Sequence, residues 1–106
     1  MHARMARYAV PPERVDEAVE GFRTAGEGLR TLDGFVDGYL LVDPDSGLLS
    51  TLTLWRDHRA LDESATRAAA MRLRAIRDVE GACVSVNEYE VPLTFGDSPT
   101  GAALSP

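Results

Sequence analysis

The chain has 106 residues, of which 44% are hydrophobic and 26% charged, a size and mixture that fit one globular domain and exclude a multidomain machine. Seventeen acidic residues against eleven basic ones give a formal charge of −6, a field that repels phosphate backbones and anionic lipid, so neither nucleic acid nor a membrane is an expected partner. The single thiol, Cys83, cannot close an internal disulfide, and His2 and His58 make no zinc signature, so no metal and no cofactor is expected.

From Ala3 to Val10 the chain reads as a strand, stopped by Pro11-Pro12, which open a helix. Through Leu29, the apolar residues Val15, Val19, Phe22 and Leu29, with Ala18 and Gly26 beside them, fall on one side at 100° per residue, and Asp16, Glu20 and Glu27 on the other. Leu32-Asp33-Gly34 breaks the helix. Phe35 to Val42 and Leu48 to Trp55 then form a hairpin through Asp43-Pro44-Asp45-Ser46-Gly47. Centring the turn near Asp45 pairs Tyr39 with Thr51, Asp37 with Thr53 and Phe35 with Trp55, which puts Tyr39, Thr51 and Trp55 on one face. A second helix starts between His58 and Asp62, runs to about Asp78 and ends at Glu80-Gly81. Ala82 to Val91 is a last strand, closed by Pro92. Residues 96–106 read as a flexible tail, which leaves a domain of residues 1–95. The N-terminus lacks the apolar core of a secretory signal and no apolar run reaches the roughly 20 residues that span a bilayer, so the expected location is the cytoplasm.

Strand, helix, strand, strand, helix, strand is the α+β order of the ferredoxin-like split βαβ fold: one antiparallel sheet with both helices on one face. The other face is bare, and the hairpin is apolar on both sides. A homodimer formed by two such sheets packing face to face is the expected solution.

Helix two carries the sharpest anomaly. Leu61, Ala65, Ala69, Ile76 and Val79 define its inward sector, and Arg72 projects within about 30° of the centre. A guanidinium is a fixed charge with five donors, so an inward one calls for a carboxylate, carbonyls or a bound anion. Trp55 ends the hairpin, where its indole can wall a pocket. Tyr39 and Thr51 offer a ring and hydroxyls for a small aromatic ligand. His58, in the connector after Trp55, is a candidate base or substrate contact. Arg4 and Arg7 on strand one face Glu88 and Glu90 as cross-strand salt bridges. Cys83 reads as a small buried hydrophobe.

Two segments, Leu32-Asp-Gly-Phe-Val-Asp-Gly-Tyr39 and Thr53-Leu-Trp-Arg-Asp-His-Arg-Ala-Leu61, resemble the glycine-rich strand entry and the strand-end tryptophan of the antibiotic biosynthesis monooxygenase domain. That domain belongs to the dimeric α+β barrel superfamily, and the resemblance spans roughly residues 3 to 92. It implies that Trp55 is the pocket tryptophan, that Arg72 is a helix arginine near substrate and that Tyr39 is a looser match. Thr51 stands where oxygenase members commonly carry asparagine, and Ala65 where the haem-degrading subgroup carries histidine. The expectation is a cofactor-independent monooxygenase of a small phenolic, quinol or polyketide-like substrate, with Trp55 and Arg72 catalytic and Tyr39, Thr51 and His58 binding substrate. The alternative is a non-catalytic ligand-binding or assembly protein on the same fold.

Overall fold

The structure, a computed structural model, describes residues 1–96; from residue 97 on, the predicted tail lies outside the described residues. The elements are β1 (His2–Ala9), α1 (Val15–Leu29), β2 (Phe35–Asp43), β3 (Leu48–Trp55), α2 (His58–Arg77) and β4 (Ala82–Glu90), with a 3-10 turn at Pro12–Arg14 leading into α1. The strands form one sheet in the order β2-β3-β1-β4, every neighbour antiparallel. This is the expected ferredoxin-like α+β fold. Among the described residues no helix is long and apolar enough to cross a membrane.

Both helices cover one sheet face because the alternation of β1 and β3 supplies an apolar face for them. Tyr8, Leu49, Trp55 and Leu61 are fully buried there, each worth about 1.5–3 kcal/mol of transfer free energy. One cluster joins Tyr8, Leu49 and Val10 to Val15, Ala18 and Phe22 of α1 and Ala75 and Ile76 of α2. A second, smaller cluster sets Trp55 against Ala60 and Leu61. The start of α2 is fixed by Asp57, whose carboxylate accepts from the Ala60 N–H at 2.8 Å, satisfying one of the free donors of the first turn. That bond holds the Asp57 carboxyl below its usual range, so the cap's stabilisation is present at neutral pH and is lost as pH falls through the lowered pKa. At the same open end of the hairpin, Gly34 has φ +80° and a side chain there would overlap the Ala60 methyl; only glycine lets β2 begin so close to α2.

The hairpin departs from the expected register. Phe35 pairs with Trp55 as predicted, but the ladder shifts between Phe35 and Asp37, so that Gly38 pairs with Thr53, Tyr39 with Leu52 and Leu40 with Thr51. Val36 is the extra residue of a β-bulge, and one inserted residue moves every later side chain of β2 to the opposite face. Leu40 and Val42 therefore face the helices with Leu49, Thr51 and Thr53, while Asp37, Tyr39 and Leu41 lie on the open face with Leu52 and Leu54. The open face does carry the predicted apolar surface: Leu41 and Leu48 are each about half exposed. Cys83 corrects a second expectation. It is exposed, because β4 is an edge strand that the helices scarcely cover and nearly all its residues face solvent.

Candidate functional site

Between the two helices and the β2-β3 side of the sheet lies a cavity of about 700 Å³, within the range that holds a drug-sized ligand. Phe22, Leu29, Leu40 and Met71 give it apolar walls, and Ala68 leaves space beneath α2. Its polar lining comprises Arg72 from α2, Arg4 from β1, and Thr51 and Thr53 from β3, together with the exposed Arg23, Glu27 and Arg30 and the partly exposed Asp37 and Tyr39.

Arg72 lies one turn beyond buried Ala68 on α2 and is itself half-buried. Six described arginines, Arg4, Arg14, Arg23, Arg56, Arg59 and Arg77, each have a carboxylate partner. Of the five without one, Arg7, Arg30, Arg67 and Arg74 are exposed. Arg72 alone is drawn in from solvent without a counter-charge among the described residues. Its positive field reaches Arg4 and Tyr8, where burial is the dominant influence: it adds to the lowering of the Arg4 pKa and opposes the raising of the Tyr8 pKa.

Arg4 is the residue whose role the sequence conceals. It forms the expected cross-strand bridge with Glu88 at 3.2 Å, but only 3% of it is exposed, and it also donates to the Leu61 carbonyl at 2.7 Å and the Ser64 hydroxyl at 3.3 Å. Its guanidinium lies 5.8 Å from the Trp55 ring centroid, a cation–π distance. Burial pushes the Arg4 pKa down, the Glu88 bond and charge oppose that, and Arg72 lowers it further. Of the four guanidiniums on the cavity wall, those of Arg4 and Arg72 are drawn in from solvent, and the one carboxylate bonded to either among the described residues is Glu88, which is itself exposed. Arg4 has its partners; Arg72 is the one with donors to spare.

Trp55 does not border the cavity. It is wholly buried behind the wall, donates from Nε1 to Thr53 Oγ1 at 3.0 Å and meets Phe35 edge to face at 5.4 Å. Phe35 and Thr53, which it holds, are wall residues. Thr51 is on the wall, its hydroxyl 3.0 Å from that of Tyr8. Tyr39 is not on the Thr51 face as predicted: the bulge turns it outward, where its hydroxyl donates to Asp37 at 3.0 Å, and it borders the cavity only at the β2 edge. Burial first, and then the Asp37 carboxylate, raise its pKa. His58 is not brought to the cavity. It occupies the exposed first turn of α2, edge-on to His2 with ring centroids 5.3 Å apart, and the Nδ1 of His2 is buried without a hydrogen-bond partner.

Burial pushes the Tyr8 phenol up to about 12, against the opposing pull of the Thr51 hydrogen bond and the Arg72 charge. A raised pKa means the folded state keeps a proton that the unfolded chain loses near 10, so stability is intact below that pH and falls as pH rises to about 12, by about 3 kcal/mol. Urea unfolding across this window is expected to show the fall in the wild type and a clearly smaller one in Tyr8→Phe.

The model of the antibiotic biosynthesis monooxygenase family matches residues 1–81, more than half of the chain. No curated protein matches the sequence. Among solved structures, a Deinococcus radiodurans protein assigned to the antibiotic biosynthesis monooxygenases superposes with a TM-score of 0.72 at 13% identity, covering 92% of this chain and 99% of that one. SnoaB, a cofactor-independent oxygenase from Streptomyces nogalater, gives 0.68 at 18% identity over 91% of this chain and 97% of its own. A variant of MhuD with two manganese protoporphyrin IX molecules bound per active site gives 0.72 at 21% identity over 92% and 100%. Among the described residues the cavity wall of this chain carries neither histidine nor cysteine. At these identities the structures speak for the fold, and the sequence match speaks for the lineage: the chain belongs to the antibiotic biosynthesis monooxygenase family.

Proposed function

We propose that the protein is a cofactor-independent monooxygenase that binds a small phenolic, quinol or enolic substrate as its anion between the helices and the sheet, with Arg72 as the catalytic residue. The observation that carries this reading is Arg72, the one half-buried arginine without a carboxylate partner among the described residues. Leaving such a cation unpaired costs free energy that a bound anion recovers. Family membership and the likeness to SnoaB, a cofactor-independent oxygenase, support oxygenation as the chemistry.

In this reading the substrate loses its acidic proton to solvent, and Arg72 holds the resulting oxyanion through charge-assisted hydrogen bonds. The electron-rich anion passes one electron to dioxygen, and the substrate radical and superoxide combine at carbon. At a methylene carbon, loss of water from that peroxide leaves a carbonyl, so one oxygen atom enters the product and the other leaves as water. The apolar walls exclude solvent from the reduced oxygen species. Thr51 presents a hydroxyl to the ligand, Tyr39 flanks the entrance, and Trp55 acts as a positioning residue through Phe35 and Thr53. His58, outside the wall, has no part in this step. Oxygen uptake over a panel of hydroquinones and anthrone-type phenols tests the reading. Consumption above buffer is expected; binding without consumption would instead assign the chain to the non-catalytic alternative, which Thr51 in place of asparagine favours.

The open sheet face supports self-association as a homodimer, with Leu52 near its centre between Met5 and Tyr39. Leu52→Arg is expected to turn a dimer into a monomer in analytical ultracentrifugation, because it puts unpaired charges on both sides of an apolar interface. A wild-type chain that sediments as a monomer at micromolar concentration would contradict the dimer.

A further inference from the structure

Helix α1 contains three glycines in its last three turns, and a side chain would meet something different at each. At Gly21 a Cβ would lie 3.0 Å from the Ala75 carbonyl, and at Gly28 3.0 Å from the Met71 methyl. Both let α2 approach, which is a packing reason for their absence of a side chain. At Gly26 a Cβ would meet nothing within 4 Å. Neither packing nor a turn explains this residue, and an interior glycine weakens a helix relative to alanine.

What Gly26 does border is the cavity. It sits four residues after Phe22 and three before Leu29, on the stripe that faces the sheet. Every other position of that stripe, Val15, Ala18, Val19, Phe22 and Leu29, carries a side chain packed in the core or against it. The stripe has one gap, and the gap opens on the site.

We propose that Gly26 determines substrate size: its missing side chain is room into which a ligand held by Arg72 extends, so the protein accepts fused-ring ligands that a filled α1 stripe would reject. This rests on the anion-binding reading above, but it concerns shape rather than oxygen chemistry, so its test reads binding and needs no turnover. The probes are an anthrone-type three-ring phenol and a single-ring phenol, followed by quenching of Trp55, the only tryptophan. In Gly26→Leu the three-ring probe is expected to bind about tenfold or more weakly, while the single-ring probe changes by less than about threefold. Gly26→Ala, which adds one methyl in open space, is expected to raise Tm by about 3–6 °C and to weaken the larger probe less than leucine does. Equal binding of both probes by Gly26→Leu and wild type would overturn the size role while leaving the anion site standing. A wild-type protein that binds neither probe would overturn both.

Discussion

Arg72→Leu is expected to weaken binding of a phenolate ligand by about 10- to 100-fold, from the loss of a charge-assisted hydrogen bond worth about 1.5–3 kcal/mol. The fold should not suffer. Arg72 forms no ion pair among the described residues, and its charge opposes that of Arg4, so its removal relieves a like-charge repulsion. Tm is expected to stay level or rise. The combination of lost binding and retained stability separates a ligand contact from a structural arginine, because an arginine that merely lies along the helix would give the stability change without the binding change. Arg72→Lys should fall between the two, keeping the charge and losing the two-pronged geometry. Isothermal titration of each variant, beside its thermal melt, makes the comparison.

Trp55→Ala is expected to lower stability by about 3–5 kcal/mol, the cost of emptying a fully buried aromatic site. That is a large share of the roughly 5–15 kcal/mol a domain of this kind possesses. The smaller core cluster, Trp55 with Ala60 and Leu61, has little else to collapse around. Activity would be lost with the fold, so the alanine variant alone says nothing about chemistry. Trp55→Phe is the informative partner: it keeps most of the buried area but removes the Nε1 donor to Thr53. It is expected to cost about 1–2 kcal/mol and, because Trp55 lies behind the wall, to leave the ligand affinity nearly unchanged. A loss of binding as deep as that of Arg72→Leu would place the indole in contact with the ligand.

The fold was legible because helix and strand periods differ and both are strong here. α1 and α2 show a one-sided apolar stripe, and Pro11-Pro12 and Glu80-Gly81 mark ends that the structure keeps. The inward Arg72 was legible for the same reason, since a charge among Leu61, Ala65, Ala69 and Ile76 breaks the pattern, although the alanine the structure buries beside it is Ala68. The bulge at Val36 was not. β2 carries apolar residues on both faces and Gly38 has no side chain, so a one-residue slip leaves no mismatch for alternation to reveal, and strict alternation puts Tyr39 on the face opposite to the one it occupies. Arg4 was legible as half of a salt bridge with Glu88 but not as a cavity residue, because that depends on where α2 crosses β1. Cys83 misled because small apolar residues are usually buried, whereas β4 sits at the uncovered edge of the sheet.

The anion-binding role of Arg72 is tested most directly by the charge that the cavity prefers. Binding of one aromatic phenol, followed by Trp55 fluorescence above and below that phenol's own pKa, measures this preference directly in the wild type and in Arg72→Leu. The wild type should bind the anion at least about tenfold more tightly than the neutral phenol, with the preference gone in the variant. Equal affinity for the two forms in the wild type, or an anion preference that survives in Arg72→Leu, would contradict it.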